Sequence, residues 1–370
     1  MKGIRLTIAV LAMSLASGLP AGAGARDLWE QDQALQAAMQ GPVDLWRARL
    51  EQSMANGPEP VRTLLDELAR EKDLSDPARE RVLYDFASAL RVVPETESGR
   101  VALEWLRTYE SKVLVPHPEA GMQYPVPLYP VSNAAQGTQN AWTYAAARRQ
   151  TLELIERKSL QALDFNKSSD IAARRGAVSA FRDASRLALE ALRGDLLTRT
   201  QSGPELAPVT AIVAVRLNDV ELYAAVLASP DQEAALSILP GVVDAFPSDT
   251  AFQLLMVGFN NESLASASLL QMARLHGKAP AANNFLFGAL YDRKLGGSAA
   301  AALAQTHDPA VVTQIDALLT KSTDRFVQAR AVLALQLEGS DLAVDALKRF
   351  SERSDVHPQL HREVNQWLEK

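Results

Sequence analysis

The stretch from Asp308 to Phe350 constrains the fold more than any other. It predicts a helix from Pro309 to Lys321, a short turn, a second helix from Asp324 to Glu338 and the start of a third at Ser340. Val327, Ala331, Ala334 and Leu335 follow Asp324 by three, seven, ten and eleven positions, which gathers them on one face of a helix with a 3.6-residue turn. Asp324 then falls at the N-terminus, where the unpaired N–H groups favour negative charge. A helical pair with so broad an apolar face cannot bury it alone, and stacking on neighbouring pairs is the simplest way to cover it.

The same punctuation recurs downstream of Pro204. Outer helices are expected to begin near Asp219, Ser248, Pro280, Pro309 and Ser340, a period of about thirty residues. Inner helices are expected from Asp231, Glu262, Ser298 and Asp324, with a last one from Pro358 to Leu368. The Asp324 helix resembles the inner helix of a HEAT repeat, in which an aspartate opens the helix and a valine, a small residue and an Ala-Leu pair follow. Gln328 stands where that pattern has arginine, and Pro240 lies inside the helix that starts at Asp231. The resemblance covers roughly the last 150 residues. It implies an all-α fold, a right-handed α-solenoid of antiparallel helix pairs over residues 201–370.

The N-terminus reads as an export signal. Lys2 and Arg5 precede an apolar run from Leu6 to about Leu19, too short to span a bilayer, and Ala23 and Ala25 form an Ala-x-Ala cleavage site. Residues 1–25 are therefore expected to be removed after Ala25, leaving a periplasmic or secreted protein with no further membrane span. The chain has no cysteine, so no disulfide framework supports it and the apolar core must hold the fold. Its formal charge of −6 disfavours nucleic acid as a partner, because nucleic-acid-binding proteins carry a basic excess.

Residues 26–111 read as an N-terminal block of five helices, with Pro42, Pro58, Pro77 and Pro94 at helix starts. Trp29, Trp46 and Trp105 are expected to anchor its core. Residues 112–137 form a proline-rich extended insertion, in which Pro116, Pro118, Pro125, Pro127 and Pro130 forbid a helix and disfavour long strand pairing. A strap joining two helical blocks and a recognition loop are both consistent with it, and Tyr124 and Tyr129 are its candidate contact residues. Residues 138–200 read as a long helical hairpin, about Thr138 to Phe165 and Ser169 to Arg193. Arg175, Arg182, Arg186 and Arg193 recur at spacings of seven, four and seven, and so are expected to form one stripe along its second helix. This is the one locally basic region of an acidic chain, a solvated face or a landing site for an acidic partner.

No motif for catalysis is present: no cysteine nucleophile, no Gly-x-Ser-x-Gly turn, no phosphate loop and no His-Glu-x-x-His. His357 and His361 have the spacing of two metal ligands but no set third ligand, so His357 reads instead as the residue before a helix start. No metal, cofactor or catalytic residue is expected. The expected function is a non-enzymatic exported scaffold that binds a protein or peptide partner. The alternative is a module for a cell-wall glycan or small ligand between the N-terminal block and the repeats, lined by Tyr124, Tyr129, Trp142 and Tyr144. An enzyme would require buried carboxylates brought together only by folding.

Overall fold

The computed structural model describes residues 27–119, 121–161, 163 and 170–369. The expected leader and the expected hairpin turn at Asn166 to Ser168 lie outside the described residues. The fold is all-α apart from a small three-stranded sheet. It divides into two units between Trp142 and Thr143.

The first unit holds β1 (Asp27–Leu28), α1 (Gln31–Ala37), α2 (Val43–Ser53), α3 (Pro58–Arg70), α4 (Asp76–Ala89), α5 (Glu97–Arg107), β2 (Val113–Val115) and β3 (Val126–Pro127). Caps set several of these starts: Ser75 accepts from Ala78 N ahead of α4, and Thr96 accepts from Gly99 N ahead of α5. Helices α2 and α4 pack together, as do α3 and α5, around Trp46, Leu50, Leu65, Leu68, Leu83, Phe86, Leu103 and Leu106. The proline-rich segment crosses this unit as β2 and β3. Leu28 pairs in parallel with Leu114, and Val115 pairs antiparallel with Val126. These ladders are only two or three residues long, as a run of residues without N–H donors requires.

Helix α6 (Val131–Glu156) starts seven residues earlier than the sequence suggests, inside the stretch expected to be extended. Pro130 is the reason. It needs no donor at a helix start, and its carbonyl accepts from Ala134 N at 3.0 Å. Val131, Ala135, Thr138 and Trp142 then recur at helical spacing and are all buried. Trp142 donates to Leu90 O at 3.1 Å and Val93 O at 3.0 Å, which makes it a core anchor of the first unit and not a ligand contact.

The second unit continues with α7 (Ile171–Asp183), α8 (Arg186–Ser202), α9 (Ala207–Leu217), α10 (Val220–Ala228), α11 (Gln232–Ile238), α12 (Val242–Ala245) and α13 (Ser248–Asn260). It ends with α14 (Ala265–Met272), α15 (Pro280–Ala289), α16 (Gly296–Ala304), α17 (Pro309–Lys321), α18 (Arg325–Glu338), α19 (Asp341–Ser351) and α20 (Pro358–Leu368). Asp219, Asp231, Asp308, Asp324, Ser340 and His357 cap their helices through side chains, so those starts fall where the sequence places them. Pro240 breaks the helix that opens at Asp231, and a 3-10 turn at Leu239–Gly241 separates α11 from α12. Packing runs stepwise along the chain: α10 on α9 and α13, α14 on α13 and α16, and α18 on α16, α17 and α19. One continuous core, from Ile155 to Val364, threads these layers.

Polar side chains tie each layer to an earlier one. Arg216 donates to the carbonyls of Phe181, Arg182 and Ala184, at the end of α7. Asn261 donates to Leu227 O and Ser229 O after α10, and Arg274 to Pro240 O and Asp244. Arg330 donates to Leu290 O and Arg293 O after α15, and Arg353 to Leu319 O and Thr320 O at the end of α17. The partners lie 30 to 40 residues apart in sequence, so the hydrogen bonds repeat with the helical pairs. Each tie satisfies carbonyls that a helix end leaves without an internal donor.

Two substitutions test this description by urea unfolding. Arg216→Met keeps the side-chain stem but removes three charge-assisted hydrogen bonds, and is expected to cost about 2–4 kcal/mol, whereas Arg182→Met on an exposed position should cost under about 0.5 kcal/mol. Gly176 lets α7 approach α6 at the Tyr144 carbonyl, where an added Cβ collides with backbone, so Gly176→Ala is expected to destabilise by about 1–3 kcal/mol.

Candidate functional site

The four arginines of the expected stripe do not share a helix. Arg175 and Arg182 are on α7, whereas Arg186 and Arg193 are on α8. The chain turns at Ala184, which is extended, and Ser185 then caps α8 by accepting from Ala188 N. An Asp-Ala-Ser sequence ahead of an apolar run is a helix-start signal that the arginine periodicity obscured. Several basic groups of this region are already engaged. Arg186 pairs with Glu190 at 2.9 Å, Arg148 with Asp183 at 2.8 Å, and Arg193 with both Asp219 and Glu221. Burial alone would raise the Asp219 carboxyl, but Arg193 and the N–H groups of Leu222 and Glu221 hold it below the usual carboxylate range. The four arginines thus divide between two helices, and two of them serve internal pairs.

Tyr124 and Tyr129 are also separated in role. Tyr124 is exposed and meets the edge of His117, with 4.9 Å between ring centroids. Tyr129 packs against Tyr84 at 5.7 Å. Neither lines the cleft of about 520 Å³ beside the strap, which is bounded instead by Tyr109, Ser111, Leu114, Pro125, Pro127 and Pro130. His357 accepts from Gln359 N as the cap of α20, and His361 contacts Asn365. Among the described residues no three acidic or histidine side chains are grouped to hold a metal ion, and no helix is long and apolar enough to cross a membrane.

Beneath the strap lies a polar centre that the sequence reading missed. On α4, Glu80 has no solvent exposure, and its Oε1 accepts from the backbone N–H groups of Lys112 and Val113 at the start of β2. Its Oε2 and the Tyr109 hydroxyl have no hydrogen-bond partner among the described residues. Burial raises the Glu80 carboxyl from 4.5 to about 7; the Lys112 and Val113 N–H groups pull the other way and Asp76 adds to the rise. Burial likewise pushes the Tyr109 hydroxyl up, and nearby Glu80 adds to it. Arg79, beside Glu80, is engaged with Asp76 and with the carbonyls of Leu68, Glu71 and Leu74. The signal was present: Glu80 lies three residues before Leu83 and seven before Ala87, a charged group on the apolar face. As arranged, this buried carboxyl anchors the start of β2.

Helix α18 of the second unit leaves several large apolar side chains exposed. Val327, Ala331, Val332, Ala334 and Leu335 are buried, but Phe326, Leu333 and Leu337 are 48%, 37% and 54% exposed. Their spacings of seven and four place the three on one line along the helix. Where this line starts, Phe326 and Ala329 share a cleft of about 220 Å³ with His357, Gln359, Leu360 and Glu363 from the start of α20. Arg330 crosses to the carbonyls of Leu290 and Arg293, through space left open because residue 296 is glycine.

Glu80 gives a pH signature. Its raised value means that the folded protein keeps a proton which the unfolded chain releases, so this contribution is full below about pH 4.5 and is lost as pH rises through about 7. Glu80→Gln cannot ionise and is expected to flatten that fall, leaving the variant more stable than wild type at pH 8 by up to about 3 kcal/mol. Urea unfolding at pH 5 and pH 8 reads the difference. Wild-type stability that stays level across that interval would refute the assignment. Comparison with protein-family models finds none that matches, and no curated protein matches the chain either.

Proposed function

We propose that this chain is an exported, non-enzymatic scaffold, a HEAT-like right-handed α-solenoid in its second unit, that holds a protein or peptide partner. The observation that carries this reading is the line of Phe326, Leu333 and Leu337, large apolar side chains left uncovered on a helix whose other faces are packed. A contiguous exposed apolar patch of this kind is characteristic of interaction sites. The repeating backward ties of the second unit and the capping aspartate of α18 support the repeat resemblance. Export rests on the sequence of residues 1–25. A second reading, binding of a glycan or small ligand, draws support from a cleft of about 700 Å³ bounded by Leu197, Gln201, Pro204, Ala224, Ala228 and Val257, a volume within the range of ligand sites.

The double variant Leu333→Asp/Leu337→Asp separates the two. Cross-linking in periplasm followed by affinity capture is expected to recover a partner with wild type and to lose it at least about tenfold with the variant, while thermal unfolding changes little because both positions are partly solvated. Equal recovery by both proteins, combined with thermal stabilisation by a glycan, would favour the small-ligand reading.

A further inference from the structure

The α18 line is not electrically neutral at its start. Phe326 has two guanidinium groups over its ring, Arg325 at 5.1 Å and Arg293 at 5.9 Å from the ring centroid. Neither makes an ion pair among the described residues, in a chain whose formal charge is −6 and where several other arginines, such as Arg148, Arg193, Arg216 and Arg274, are tied to carboxylates or carbonyls. Arg293 is held in place from behind, since its own carbonyl accepts from Arg330 at 3.0 Å. The far end of the line, Leu333 and Leu337, carries no charge. From Phe326 to Leu337 the line extends about 16 Å, the length of three helical turns. Glu363, on the α20 side of the cleft, repels negative charge from that direction and favours approach from the Arg293 side.

We propose that this line receives an amphipathic helix of another protein whose acidic residues cluster at the end lying over Arg293 and Arg325. Its apolar anchors rest on Leu333 and Leu337, spaced as a helix in a groove presents them. The guanidinium groups that stack on Phe326 keep their donors for the partner's carboxylates, and planar guanidinium matches carboxylate well. This inference rests on the peptide-binding reading above and adds the charge and polarity of the partner.

Three synthetic helices of about 15 residues, identical on the apolar face but with aspartate, asparagine or lysine in the end turn, test it by fluorescence anisotropy with the full chain. The aspartate peptide is expected to bind at least about tenfold more tightly than the lysine peptide, a margin that shrinks as salt is raised. Arg293→Ala/Arg325→Ala should abolish that preference and leave weak binding, whereas Leu333→Asp/Leu337→Asp should abolish binding of all three. Equal binding of the three peptides that still requires Leu333 and Leu337 would overturn the charge assignment and leave the peptide-binding reading intact. No binding of any peptide would overturn both. If the wild type were then a dimer that the leucine variant dissociates, the line would belong to a second copy of this chain.

Discussion

A helix end leaves carbonyl groups without donors, and in this protein arginine supplies them from a distance. Arg216, Arg330 and Arg353 each reach back to the closing turn of a helix two or three helices earlier. A guanidinium suits this task because it presents several donors in a fixed plane and stays charged at any physiological pH. Hydrogen bonds to a charged donor contribute more than neutral ones, about 1.5–3 kcal/mol each. The apolar core holds the layers together, but it is insensitive to small slips along a helix axis. The ties are directional, so they fix which turn of one layer sits beside which turn of the next.

The first unit uses the same device with Arg79 and with Arg81, which donates to Ala38 O at the end of α1, and places a buried, half-satisfied carboxyl beside Arg79. There the need is different. Strands of two or three residues make too few ladder bonds to hold a proline-rich segment in place. Glu80 supplies acceptors for the first N–H groups of β2, and Leu114 and Val115 complete the sheet with β3. The anchorage comes at the expense of a carboxyl buried without full compensation.

Much of this was legible in the sequence. The starts of α10, α11, α17, α18, α19 and α20 follow from their aspartate, serine or histidine caps, and those of α13 and α15 from Pro247 and Pro280, because a helix start is a local event decided by a few residues. What the sequence concealed was tertiary. The break at Ala184 and Ser185 was masked by an arginine period that happens to continue across it, and α6 began early because Pro130 opens a helix as readily as it ends one. Glu80 was hidden because its carboxyl meets partners some thirty residues away. Phe326, Leu333 and Leu337 could be placed on one helix face from spacing, but only the packing of α16, α17 and α19 reveals that this face stays open.

The orientation of the backward ties bears on how the second unit would yield to force. Among the described residues each of these fastenings grips an earlier layer, so α19 and the turn after it hold α17 through Arg349 and Arg353. Pulled from its C-terminal end, the stack should peel in discrete steps, one hairpin at a time, giving a sawtooth trace whose increments match the helical period. A pull applied at α20 would undo the grip of Arg349 and Arg353 on α17 before it reached the open face of α18.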